Sequence, residues 1–136
     1  MLKSLVHPCI TLVFKHLGFA QSEVDSLKTA LNSTSDPEIK LSTLDALTRA
    51  LVRANDPQQE VFLKQYLQQA SALKEYDLLT SKSRFLIQYY LNQRLTDKAE
   101  LLADSLLNLQ DYFKEPSSLG HLKLKRAAAY YDKNLL

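Results

Sequence analysis

Cys9, the histidines His7, His16 and His121, and fifteen carboxylates are the side chains with which this chain of 136 residues can do chemistry. Their spacing does not gather them. A zinc site wants four Cys or His ligands, and one cysteine with scattered histidines does not begin one. No metal and no cofactor is expected. Cys9 lies near a predicted helix start, where a thiol pKa falls. It shares an apolar stripe with Leu12 and Val13, however, and reads as a small core residue. Glu23, Asp25, Asp45, Glu60, Asp97, Glu100 and Asp104 fall on caps or polar helix faces, and no two of them form an acid–base pair. Glycine stands only at positions 18 and 120, so there is no Gly-rich phosphate loop and no nucleophile elbow. The reading is of a protein that is not an enzyme.

Two groupings remain. Lys123, Lys125, Arg126 and Lys133, with Tyr130 and Tyr131 beside them, concentrate positive charge near the C-terminus. Phosphate contact with aromatic stacking is the chemistry they offer. The chain as a whole carries 17 Lys and Arg against 15 Asp and Glu, a net +2, and such a balance argues against a polyanionic partner. The second grouping is aromatic. Of seven tyrosines, with no tryptophan, Tyr89-Tyr90 and Tyr130-Tyr131 are adjacent pairs on predicted helices. Neighbours on a helix point about 100° apart, so each pair is expected to turn one ring inward and one outward, where an amphipathic ring suits a protein interface.

The elements that must hold these residues are helices. Apolar residues recur at three- and four-residue steps, and no alternating strand pattern competes. The first helix is predicted from Pro8 to Leu17, stopped by Gly18. A cleaved signal peptide fits poorly there, because His7 and Pro8 interrupt the apolar run and Lys15 and His16 charge it. A Leu17–Phe19 turn leads to a helix capped by Ser22, with Asp25 in a capping-box position and Val24, Leu27, Ala30 and Leu31 inward. Acidic residues at that start do not suit a DNA-recognition helix.

Asp36-Pro37 and Asp56-Pro57 each place a capping side chain before a first-turn proline, the latter with Gln59 to complete the box. They open helices carrying Leu41, Leu44, Leu47, Leu51 and Ala54, then Phe62, Leu63, Tyr66, Leu67, Ala70 and Leu73. Arg49 and Arg53 take the wet side. Thr80 or Ser81 is expected to open the next helix, and Thr96 the one after, with Ala99, Leu102, Ala103, Leu106, Leu109 and Phe113 inward. Ser117 or Ser118 starts the last, after a break at Glu115-Pro116.

The fold expected is therefore all-α, with six to seven short antiparallel helices in a helical-hairpin array or an irregular bundle. Residues 1–136 form a single helical domain, near the usual domain size. The last helix reaches Leu136 without a stop signal. Two readings stay open: an N-terminal fragment of a longer chain, or a terminal helix docked by its leucines.

The two Tyr-Tyr pairs lie 41 residues apart, in LIQYYLNQRL and AAAYYDKNLL, and between them small residues at Ala99 and Ala103 allow close helix approach. On Ile87, Tyr90, Ala99, Leu106 and Leu107 the C-terminal third to half of the chain resembles the tetratricopeptide family of helical-hairpin repeats. It departs from that family at Arg94, where a turn glycine is expected, at Pro116, which comes late, and in a step longer than the usual ~34 residues.

The resemblance implies a concave surface that binds a peptide or another protein. The expected function is a non-enzymatic protein–protein interaction module, a scaffold, adaptor or sensory domain. Its partner is another polypeptide or a second copy, met through helix faces with Tyr89, Tyr90, Tyr130 and Tyr131 as anchors. The alternative is a nucleic-acid-associated regulator using Lys123, Lys125, Arg126 and Lys133. The lone Cys9 suits a reducing, cytoplasmic setting, and no apolar run is long enough to cross a membrane.

Overall fold

A computed structural model describes residues 21–135, apart from the side chain of Leu135. The expected first helix, with Cys9, His7, His16, Gly18 and the Leu17–Phe19 turn, lies outside the described residues. Among the described residues there are six α-helices, one 3-10 turn and no strand, so the chain is all-α as its periodicity predicts. They are α1, helical over 21–33, α2 (Pro37–Arg53), α3 (Gln59–Ala72), α4 (Tyr76–Asn92), α5 (Thr96–Leu107) and α6 (Pro116–Leu135). None is long and apolar enough to cross a membrane. The chain divides into two compact units, Met1–Asp56 and Pro57–Leu136.

In the first unit, Asp36 caps α2 as expected: its Oδ1 accepts from the Glu38 and Ile39 amides at 2.9 and 3.1 Å, with Pro37 in the first turn. Leu41, Leu44, Leu47 and Leu51 are buried, while Ala54 is the exposed C-cap. Arg53 reaches Glu23 of α1 at 3.7 Å. Ser22 does not cap α1. The chain is already helical at Gln21, so Ser22 is an exposed residue within the helix, and the Asp25 carboxylate takes the Gln21 side-chain amide instead. Val24 is buried there and Ala30 exposed.

Both units show what ends these helices. Asn55, Lys74 and Arg94 have φ of 50°, 58° and 62°. Each stands just past a helix end, and the residue after it sends its amide back five residues: Asp56 to the Leu51 carbonyl, Glu75 to Ala70 and Leu95 to Tyr90. These are Schellman closures built without glycine. The chain then turns straight into the next helix, with the Glu75 and Leu95 carbonyls accepting its first bonds. That explains one misplaced start. Helix α4 opens at Tyr76, leaving Thr80 buried inside it with its hydroxyl on the Tyr76 carbonyl. Helix α3 opens at Gln59, two residues past Pro57.

A left-handed conformation costs an L-residue about 1–2 kcal/mol, part of which glycine returns as lost chain entropy. Lys74→Gly is expected to gain about 0.5–1 kcal/mol. The check is a urea midpoint that rises with its slope unchanged.

Helix α4 is the centre of the second unit, packing on α3, α5 and α6. Tyr90 meets Glu60 and Lys82 meets Tyr66, so α3 and α4 are antiparallel. Asp104 pairs with Arg126 and Asp97 with Lys133, so α5 and α6 are antiparallel too. Asp77 meets Ser118 and Gln88 meets Lys125, which makes α4 and α6 parallel neighbours. The core stripe is Leu63, Tyr66, Ala70, Leu79, Leu86, Ile87, Tyr90, Ala99, Ala103, Leu106, Leu122 and Ala129. Helix α5 stops at Leu107, earlier than its pattern suggests, so Leu109 and Phe113 sit half-buried in the connection to α6.

That connection is tied to the start of α4. Tyr112 stacks on Tyr76 at 5.1 Å between centroids. The Asp77 carboxylate accepts the Lys114 amide (3.0 Å), the Glu115 amide (3.1 Å) and the Ser118 hydroxyl (2.8 Å). Helix α6 thus starts at Pro116 and takes its cap from another helix; Ser118, expected as the cap, is a donor to it.

Candidate functional site

Tyr130 and Tyr131 stand on the last turns of α6, 60% and 69% exposed. The inward position of that turn belongs to Ala129, fully buried, so neither ring of the pair points into the core. The other pair behaves as expected of adjacent residues. Tyr90 is buried, its hydroxyl 3.2 Å from Glu60 Oε1, while Tyr89 is half-buried beside it. Burial pushes the Tyr90 phenol pKa up and the Glu60 carboxylate adds to that. The ring of Tyr90 is therefore core, and the aromatic surface is the work of Tyr130 and Tyr131.

These two tyrosines line a groove of about 420 Å³ with Leu107, Ala127, Lys123 and Arg126. Leu107 comes from the end of α5 and the other five from α6, so the groove follows the seam of the α5/α6 hairpin. Its walls are apolar, its rim holds two cations and no carboxylate lines it. Leu101 on α5 and Leu124 on α6, each 68% exposed, extend the apolar surface of these helices. Small concave sites with apolar walls and a few polar groups are where ligands and peptide side chains seat.

The basic residues of α6 have separate fates. Arg126 pairs with Asp104, and its guanidinium pKa is held up by that hydrogen bond. Lys133 lies 3.2 Å from Asp97 and 3.5 Å from Glu100, whose buried Oε2 makes no hydrogen bond besides this charge contact. Lys125 turns to the other side and donates to Gln88 Oε1 of α4 at 2.7 Å. Lys123 stays exposed. The four cations that sequence spacing puts together are thus divided between two faces of α6.

The remaining groups with chemistry stay apart. His121 is exposed on α6, and among the described residues no cluster of three or more His, Cys, Asp or Glu is placed to hold a metal. Glu60, Lys64 and Tyr90 do meet: Lys64 Nζ is 3.2 Å from Glu60 Oε1, which also takes the Tyr90 hydroxyl. Burial opposes ionisation of Glu60, but hydrogen bonds and charges from Lys64, Tyr90 and Lys98 outweigh it and lower its pKa. This cluster joins α3 to α4.

Sequence spacing does not single out Leu107, Ala127 or Arg84 as surface features. Counting charge helix by helix would have helped, since α4 holds one acidic residue, Asp77, and α6 one, Asp132. Comparisons with protein-family models, with curated proteins and with solved structures returned no match to this chain.

Proposed function

We propose that this protein is a non-enzymatic interaction module that binds another polypeptide in the groove along the α5/α6 hairpin. The observation that carries the reading is the pair Tyr130 and Tyr131, both more than half exposed at the wall of an apolar groove. Two large rings in water forfeit the burial energy their size offers, and tyrosine at such a position is the residue type enriched at interfaces. The bound segment is an amphipathic helix or strand whose apolar side chains enter between Leu107, Ala127 and the rings.

The same reading extends to architecture and setting. A tetratricopeptide-like hairpin repeat is supported by α4 and α6 lying parallel with α5 reversed between them in the chain. It is supported too by Arg94, whose φ of 62° is the conformation a turn glycine would supply. The lone cysteine fits a cytoplasmic protein.

The test is Tyr130→Ser with Tyr131→Ser. Exposed positions of this kind change stability by less than about 0.5 kcal/mol, so the urea midpoint is expected to hold. Association measured by cross-linking and light-scattering mass is expected to disappear. A variant that still associates as the parent does would remove the groove from the function.

A further inference from the structure

Helices α4 and α6 together carry six cations: Lys82, Arg84, Lys123, Lys125, Arg126 and Lys133. They carry two carboxylates, and both are engaged. Asp77 caps the start of α6, and Asp132 faces Arg94 at 3.7 Å. Helix α5 answers Arg126 and Lys133 with Asp104, Asp97 and Glu100. Those two cations on the α5 side of α6 are therefore neutralised. The α4 side is not.

On that side, Arg84 and Lys125 come together across the parallel pair. Lys125 is half-buried and hydrogen-bonded to Gln88, one helical turn beyond Arg84. Arg84 is half-buried, donates to the Ser81 carbonyl and lies 5.6 Å from the Phe85 ring. Both contacts go to neutral groups. The Arg84 charge is felt at Lys125: burial lowers the Lys125 pKa and that charge lowers it further. Exposed apolar surface is at hand in Phe85 and Leu124. Like charges held together without a counter-charge are relieved by an anion from outside, and steering by such a field also speeds its arrival.

We infer that the α4/α6 seam at Arg84, Gln88 and Lys125 is the docking surface for an acidic segment of a partner polypeptide. The inference rests on the polypeptide-binding reading and adds to it a face and a chemistry. Glutamate or aspartate side chains of the segment meet Arg84 and Lys125, and the Gln88 amide is placed to donate beside them. Apolar side chains between the acids lie over Phe85 and Leu124.

The experiment titrates the whole chain against a fluorescein-labelled peptide of alternating glutamate and leucine, read by anisotropy at low and at physiological salt. Binding is expected, falling as salt rises, and a peptide with lysine for glutamate is not expected to bind. Arg84→Ala with Lys125→Ala is expected to weaken binding about tenfold or more, and Lys125→Arg to retain it. Far-UV circular dichroism and the urea midpoint show whether the double variant folds; if it does not, Arg84→Gln with Lys125→Gln replaces it. The proposal is overturned if the acidic peptide fails to bind, or if it binds both proteins alike. It is overturned as well if single-stranded DNA of the same charge binds more tightly and with the same sensitivity, since the seam would then be a nucleic-acid surface. The Tyr130→Ser, Tyr131→Ser protein separates the two ideas. If association depends on those rings while the acidic peptide ignores Arg84 and Lys125, only the seam is lost.

Discussion

Replacing Asp77 with alanine is expected to destabilise the protein by about 2–3 kcal/mol, well above the usual cost of losing one helix cap. Three donors lose their acceptor at once: the amides of Lys114 and Glu115 and the hydroxyl of Ser118. Ser118 is buried, so its hydroxyl cannot turn to water without moving the first turn of α6. The anion also sits at the N-terminus of α6, where the helix dipole favours negative charge. Asparagine at 77 keeps one acceptor and loses the charge, so its loss is expected to be about half as large. Urea unfolding of the three proteins at neutral pH checks the order. Equal stability of Asp77→Ala and the parent would mean that the α6 start holds without it.

The same contact makes a pH prediction. Burial raises the Asp77 pKa, but the hydrogen bonds from Glu115, Ser118 and Lys114 outweigh it, so the folded carboxyl lies below its ordinary value. A depressed acid contributes stability that is present in full above its unfolded pKa and lost as pH falls through the folded one. The contribution therefore fades below about pH 4. The gap between the parent and Asp77→Asn is expected to close over that range, measured as urea midpoints stepped downward in pH.

Ile87→Ala is expected to be at least as costly, at about 3 kcal/mol, within the range seen when large aliphatic side chains are removed from cores. Ile87 has no exposed surface and lies on α4, the helix that packs on α3, α5 and α6. Tight neighbours cannot collapse into the space on three sides, so the cavity cost adds to the lost transfer energy. The urea midpoint should fall further than for Asp77→Asn. Helical circular dichroism below the transition should be retained. A cost below about 1 kcal/mol would indicate a loosely packed core around α4.

The helices were legible because their signals are local. Leu41, Leu44, Leu47 and Leu51 fall on one stripe by spacing alone, and the Asp36-Pro37 cap needs only the residues beside it. The start at Tyr76 was misread because the chain passes from a Schellman turn directly into α4, and a backbone carbonyl leaves no residue type to recognise. The tyrosines were half legible. A helical pair diverges by about 100°, but which member faces the core depends on where the buried stripe runs: through Tyr90 on α4, and through Ala129 on α6, leaving Tyr130 and Tyr131 outside.

Sequence by itself determined the class of the protein. A period of three to four residues buries one side of a helix whatever its neighbours are, and with few glycines and one cysteine it leaves all-α as the outcome. The tertiary structure decided the rest. Asp77 reaches donors 37 to 41 residues away to cap α6, and α5 neutralises Arg126 and Lys133 while Lys125 crosses to Gln88 on α4, one turn from Arg84. Hydrogen bonds and charge act through space at a few ångströms, so residues distant in the chain become partners only when helix packing brings them together.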